Sequence, residues 1–528
     1  MRFVVGSHGY LLTSFDQEWL QANKLQEYAS AVYEKSHALG NCWGFVDGTV
    51  RAICRPEKNQ KTVYNGHKRV HALKYQSVIA ANGLIANLFG PIGKPYGLYE
   101  IYLGEHVSVL QGCGLGGGSL INANVGLDAE PAVYHKPDWP EAFMSDVENM
   151  LKTDRKHVTD MLKPTPYPDS YPALDKIERM QEGFAAFDIE DLDKHFYKTP
   201  IYVTFEDKER NHVGVPQPKC TACGNCCGGC NVGAKNTLNM NYIAEAKVYG
   251  AEIYTKIEVM SIARESNSNE WLVHYKHLVK GWFEVAEQTI RAGHVILGAG
   301  ALGSTKILLR SKERGLNISR TIGTRFSTNG DMPAFSYDGT RETNSIGVKT
   351  KDLIGPDKKV APGPCITTVM DLRRQGGKLV DNFVIEDGTP PSSVGLVYSI
   401  GLTVAAKKGL DITHKAMKKS LAFLCMSHDD ASGKITYHTK TDDISVSYKD
   451  VGYEPNFKIV NEATRKVTEK LGGTFVNPLW SEHLGKSVIT VHPLGGCPMA
   501  ESGKTGVVNH AGQIFEGKDC SCDWCVSI

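Results

Sequence analysis

The residues best placed for chemistry lie late in the chain. Ser487-Val488-Ile489-Thr490-Val491 reads as a strand, and it delivers His492 into Pro493-Leu494-Gly495-Gly496-Cys497. A histidine at a strand end, with proline and glycine fixing the backbone after it, suits general acid/base work, because imidazole titrates near neutrality. The plainer alternative is a histidine held for structure. Glu386 is a candidate second acid/base, although the Asp387-Gly388 beside it favours a surface turn.

A second group of residues is built for backbone approach. Gln111–Asn124 reads QGCGLGGGSLINAN and contains Gly112, Gly114, Gly116, Gly117, Gly118 and Ser119. Glycine costs conformational entropy, so this density needs a reason, such as positive φ angles or close contact with something large. Freed N–H groups can cradle a pyrophosphate or the edge of a flat ring. The alternative is a tight surface loop. Leu120-Ile121-Asn122 then reads as the start of an ordered apolar element. Further on, His294-Val295-Ile296-Leu297 runs into Gly298-Ala299-Gly300-Ala301-Leu302-Gly303-Ser304 and a helix over Thr305–Ser311. That is a strand–GxGxxG–helix unit, the dinucleotide fingerprint in its proper context. Its usual acidic partner, about 20 residues on, is missing. Thr321–Thr324 fill that zone and the next carboxylate after it is Asp331. The unit therefore reads as a later strand returning to a nucleotide fold.

Cys220, Cys223, Cys226 and Cys230 are spaced C-x2-C-x2-C-x3-C, the spacing of bacterial iron–sulphur cluster ligands, with Asn231 where proline is usual. The competing reading is a Cys/Gly-rich loop packed against the cofactor domain, because a second cysteine set and a remote fourth ligand are not evident. The chain has 14 cysteines, and their clustering argues against a disulfide framework.

These groups need elements to position them. At 528 residues the chain has room for two or more domains. Its net charge of +1 gives no global attraction to nucleic acid or an acidic membrane. No run of about 18 apolar residues reads as a membrane span. The first residues make a poor signal peptide, so the reading is of a soluble, intracellular protein. Helical spacing covers 16–39. Two alternating runs flank Asn82-Gly83, a hairpin signal. Short strands are expected at Tyr99–Leu103 and Val107–Leu110, and helices at Val147–Leu162 and Leu174–Phe187, the latter two as a peripheral or lid-type insertion. Ala251–Val259 reads as a strand, with a hairpin continuing through Trp271–Lys276 and Trp282–Val285. Residues 330–480 read as alternating strands of a large sheet, with an apolar region at Ser393–Ala405 and a basic, solvated face at Lys407–Lys419.

Five ordered motifs make residues from about Tyr99 to Gly517 resemble a glucose–methanol–choline flavoprotein oxidoreductase of the cholesterol oxidase-like branch. They are 112–125, 220–242, 295–311, 327–332 and 492–517. The resemblance implies FAD as cofactor and an alcohol, sterol-like, as substrate. It places Gly112, Gly114, Gly116, Gly117, Gly118 and Ser119 beside the flavin, with Asn122 near the ring and Val259 on the adenine side. Gly298, Gly300, Gly303, Asn329 and Asp331 would line the FAD cleft. His492 would take the hydroxyl proton as hydride leaves to the flavin, with oxygen or another acceptor reoxidising it.

Residues 43–91 resemble instead the nuclease domain of Harbinger-type transposases, through Gly44–Thr49, Tyr64–His71 and Asn82–Ala86. That resemblance implies Asp47 as one of three metal-binding carboxylates. The other two have no counterpart, and Asp47 before Gly48 also reads as a turn residue. The expected class is thus mixed α/β: a Rossmann-like FAD-binding domain, incomplete at both ends, with a sheet-based substrate domain. The divisions are a helical leader (1–42), the nuclease-like fragment (43–94), an FAD-binding portion with the Cys-rich loop and helical insertion (95–330), a substrate domain (331–480), a return to the FAD domain (481–517) and an unrelated tail (518–528). Missing ends make an inactive chimeric remnant the main alternative, with a residual nuclease-like module as another.

Overall fold

The computed structural model describes the backbone of 44–52, 64–65, 70–80 and 85–92. It also describes 99–516, except 267, 269, 279–285, 355–358, 374–376, 393–413, 478–479 and 482–484, together with 526–527. The expected leader 1–42, the Trp282–Val285 strand, the apolar region 393–405, residues 407–413 and most of the tail lie outside the described residues. The chain divides into two compact units, Met1–Gly97 and Leu98–Ile528.

In the first unit, Gly44–Ala52 pairs antiparallel with Val70–Ala80, from Gly44 opposite Ala80 to Ala52 opposite Ala72. Tyr64–Asn65 and Ile85–Ile92 also pair antiparallel with Val70–Ala80. The strands flanking Asn82-Gly83 are therefore hairpin partners, as their alternation predicts. Asp47 stands in register with Ser77 inside a strand, so its backbone is not a turn.

The second unit is built on a six-stranded sheet. Its order is Thr474–Val476, Met332–Tyr337, Leu421–Ser427, Phe383–Gly388, Thr368–Asp371 and Phe196–Lys198, with every neighbouring pair antiparallel. This is the large sheet expected from 330–480, closed at one edge by a strand from outside that range. Two helices cover it. Pro455–Lys470 starts on a proline at its first turn, where no N–H is needed, and buries Phe457, Val460, Ala463 and Val467 at helical spacing. Asp175–Phe184 buries Met180 and Phe184 in the same core. The two helices touch closely: a Cβ on Gly183 would lie 2.8 Å from Val467 Cγ1. Asp175–Phe184 is therefore a core helix and not the peripheral insertion expected. Val147–Leu162 forms as expected and is exposed along most of its length, burying only Val147 and Met161.

A second core joins distant segments. The helix Gly300–Glu313 packs Ile307 and Leu308 against Ile262 and Trp271, and Val507, Val508 and Ile514 complete the cluster. Ile262 and Trp271 belong to a three-stranded antiparallel sheet of Ile257–Arg264, Trp271–His277 and Gln288–Ala292. The first of these strands begins at Ile257 and not at the expected Ala251. Residues 251–256 are exposed, and Lys256 has φ +59°, so pairing starts only after it.

Among the described residues, two short strand pairings are parallel. Val107–Val109 runs beside Val488–Thr490, and Val295–Ile296 beside Val526–Ser527. Among the described residues, no helix is long and apolar enough to cross a membrane.

Candidate active site

Val488–Thr490 pairs parallel with the strand Val107–Gly112 and ends two residues before His492. A single carboxylate organises the backbone beyond that strand. Asp331, 1% exposed, accepts from the Thr490 hydroxyl (2.9 Å) and from the backbone N–H groups of Val491 (2.8 Å) and His492 (3.1 Å) through Oδ2. Its Oδ1 lies 2.8 Å from His492 Nδ1. One residue thus fixes the backbone, the ring plane and the tautomer of His492, leaving Nε2 for other chemistry. The imidazole is 40% exposed, so Nε2 has room to meet a substrate. Burial pushes the His492 pKa down, but the Asp331 charge and hydrogen bond outweigh it and the net shift is upward.

Asp331 is held by its own turn. Asn329 and Gly330 have φ +58° and +57°, and a Cβ on Gly330 would lie 2.2 Å from Ser427 Oγ. Asp429 accepts from the Ser327 and Thr328 hydroxyls and from the Thr328 N–H, pinning the start of the turn. The family resemblance puts Asn329 and Asp331 on the cofactor cleft. The structure places Asp331 on His492, a link that a separation of 161 positions hides from the sequence.

Glu386 is not on a surface turn. It lies within the strand Phe383–Gly388, opposite Val369 and Leu424, and is 1% exposed. Its Oε1 has no hydrogen-bond partner among the described residues. Burial pushes its pKa up to about 8; the His492 charge opposes that rise, and Asp387, Cys365 and Asp331 add to it. Glu386 and His492 therefore share one electrostatic environment. Successive side chains of a strand point to opposite faces, and Asp387 has the opposite fate. It pairs with Lys176 at 2.7 Å, both fully buried, and accepts from the backbone N–H and hydroxyl groups of Thr367 and Thr368. Lys176 also donates to the Pro364 and Cys365 carbonyls and to Thr389 Oγ1. The Asp-Gly pair that reads as a turn is in fact part of a satisfied buried ion pair next to an unsatisfied buried acid.

The glycine-rich loop has the positive φ angles its composition predicts. Gly114, Gly116 and Gly117 have φ of +144°, +108° and +52°. Gly117–Leu120 forms one short helical turn, so the ordered apolar element expected from Leu120 does not form. Gly112 is packed, since a Cβ there would meet Gly117 O at 2.6 Å, whereas Gly117 and Gly118 face open space. Ser119 Oγ donates to Gly116 O and accepts from Leu238 N–H, tying the loop to the segment after the cysteines. Lys235, 1% exposed, donates to the Leu120, Asn122 and Cys226 carbonyls. Asn122 is exposed, and Asn124 is fully buried with neither amide atom partnered among the described residues.

Gly298, before the helix Gly300–Glu313, and Gly300, its first residue, also face open space, while Gly303 is close-packed against Ala299. Ser304 Oγ staples this turn by donating to Leu297 O and accepting from Ala299 N–H. Val259 is half-buried at the edge of the second core. Exposed apolar side chains stand beside these open backbones in sequence, Leu115 in the first and Ile296 before the second. Open glycine faces beside uncovered apolar side chains fit a large, flat, partly apolar cofactor such as FAD.

Among the described residues, no group of three or more His, Cys, Asp or Glu side chains is arranged to hold a metal ion. The cysteines instead pack as a loop. Cys220 Sγ accepts from Ala222 N–H, Cys226 Sγ from Cys365 N–H, and Cys227 Sγ lies 3.5 Å from Cys365 Sγ. Burial pushes the thiols of Cys220, to about 12, and of Cys226 upward. Sequence reasoning missed Lys176, Lys235, Cys227 and Cys365. A lysine with a polar neighbour, Asp175 beside Lys176 or Asn236 beside Lys235, carries no mark of burial, and its partners lie far along the chain.

The chain is similar to known proteins over most of its length. The GMC oxidoreductase family model matches residues 209–328, which span the cysteine loop, Gly298–Gly303 and the Ser327-Thr328 turn. The chain is 26% identical over 469 residues to a cholesterol oxidase of Acinetobacter baumannii, covering 82% of this chain and 79% of that protein. It is 24% identical over 472 residues to the cholesterol oxidase of Mycobacterium tuberculosis strain H37Rv, covering 81% and 76%. Mixed α/β architecture, a GMC oxidoreductase stretch and relatives at modest identity over most of the chain together support an oxidoreductase.

Proposed function

We propose that this chain is an FAD-dependent oxidoreductase that converts the CH–OH group of a sterol-like alcohol to a carbonyl. The observation that carries the reading is the set Asp331–His492–Glu386. A half-exposed imidazole is fixed through Nδ1 by a buried carboxylate, and a buried, unpaired carboxyl lies close enough to feel its charge. Two titratable groups whose environments set them apart are the mark of acid/base chemistry.

FAD, when bound, supplies the two-electron acceptor for hydride. The open faces of Gly117, Gly118, Gly298 and Gly300 would hold it, with Asn122, Val259 and Asn329 as further contacts. His492 Nε2 accepts the hydroxyl proton as the C–H bond breaks. Asp331 stabilises the imidazolium that results and keeps Nδ1 protonated. Glu386, its buried carboxyl pushed up to about 8, would take up or return a proton near it. The relatives are cholesterol oxidases, which supports a sterol-like substrate and molecular oxygen as the final acceptor.

The test is direct. Purified protein should carry flavin absorbance in the visible range and oxidise a 3-hydroxysterol with oxygen uptake. His492→Ala should keep the colour and lose turnover. A folded, colourless protein that takes up no added FAD would end this reading.

A further inference from the structure

The proposed chemistry makes no use of two thiols that lie against each other just behind the glycine-rich loop. Cys227 Sγ is 3.5 Å from Cys365 Sγ, although 138 positions separate them. A disulfide requires about 2.05 Å between sulfurs, so closure needs a movement of only about 1.5 Å. The two sulfurs differ in access. Cys227 is half-buried and points toward the Asn122 carbonyl at 3.8 Å, whereas Cys365 is 6% exposed. Lys235, 1% exposed, anchors this corner by donating to the Asn122 and Cys226 carbonyls. One reachable sulfur against one buried, resolving sulfur is the arrangement of a peroxide-reactive pair.

We propose that Cys227 and Cys365 are a redox-active dithiol that closes to a disulfide on meeting hydrogen peroxide. The Cys227 thiolate attacks one peroxide oxygen, the O–O bond breaks, and hydroxide leaves to be protonated to water. Cys227 is then a sulfenic acid. The Cys365 sulfur gives up its proton and attacks the sulfenic sulfur. The S–S bond forms, the S–O bond breaks, and a second water leaves. Two thiols lose two electrons in all, and one peroxide becomes two waters. The oxidant is the product expected when oxygen is the acceptor of the proposed oxidase; only this source rests on that reading, because added peroxide serves equally well.

The bond would join two parts of the site. Residue 227 adjoins the loop whose Asn122 carbonyl Lys235 holds, and the Cys365 carbonyl accepts from Lys176, the partner of Asp387. Closure therefore couples the cofactor-side loop to the strand that carries Glu386.

The experiment treats the full chain with a small excess of hydrogen peroxide, blocks remaining thiols, digests without reductant and maps peptides by mass. The expected product is one peptide pair linking Cys227 to Cys365, removed by dithiothreitol. Cys365→Ser should abolish that pair and leave Cys227 labelled by dimedone, the mark of a stranded sulfenic acid. Cys227→Ser, at the more exposed position, should lose both signals. A Cys226–Cys227 or Cys226–Cys365 bridge would overturn the assignment, as would a wild-type map in which Cys227 and Cys365 stay reduced while other thiols oxidise. None of these readouts needs turnover, so a failed alcohol oxidation and a failed disulfide are separate results.

Discussion

His492 acts only as well as Asp331 lets it. One carboxylate holds the ring, the N–H groups of Val491 and His492, and the Thr490 hydroxyl. Replacing it by Asn should lower kcat by about 10²–10⁴-fold, the range expected when a general base loses its orienting partner. The sign of the pH effect comes from the upward shift. Wild-type rate should rise with pH through a limb above the ordinary histidine range, and Asp331→Asn should move that limb down. Glu386 gives a second sign. Its folded pKa is about 8, above its unfolded value, so the native state binds the extra proton and stability falls as pH rises from the unfolded pKa toward 8. Glu386→Gln should therefore become increasingly more stable than wild type over that window, by on the order of a few kcal/mol at its top, while losing turnover. Denaturant midpoints across pH check this. His492 is legible because strand, proline and glycines all sit beside it in sequence. Glu386 is not, because Asp-Gly is a local turn signal, and a buried sheet position with a lysine brought from far along the chain overrides local signals.

The elements that hold these residues are unevenly legible, for one recurring reason. Val488–Thr490, Val107–Gly112, Val147–Leu162 and the helix after Gly298 emerge from their own periodicity. Asp175–Phe184 reads as peripheral because it carries Lys176 and Arg179 among its apolar residues. Both side chains are buried: Lys176 on Asp387, and Arg179 beside Glu178 and Glu182. A charged residue reads as solvated until its partner is known. Lys176→Met should destabilise the fold by about 3–5 kcal/mol, because it strands Asp387 as an uncompensated buried charge. Urea titration at neutral pH measures it, and a cost within error of zero would show that Asp387 is held by its threonines alone.

For the whole molecule, sequence patterning indicates a mixed α/β chain with a sheet-based domain, and such a sheet is present. Its strands are antiparallel and draw an edge from residues 196–198, which no local pattern announces. Every candidate site residue except Asp47 belongs to the unit Leu98–Ile528. That unit, expressed alone, should melt in one cooperative transition by calorimetry; a molten, non-cooperative fragment would show that residues 1–97 are needed for its packing. The neighbouring carboxylates Glu386 and Asp387 face opposite sides of one strand, the first unsatisfied and the second saturated. Inserting a single residue before them would carry the glutamate to the place against Lys176, and deleting one would bring the shorter aspartate to the place of Glu386; either shift turns both acids to the opposite face. Descendants of this chain can therefore change the composition of that strand far more freely than its length, and its spacing should be the last part of the site to drift.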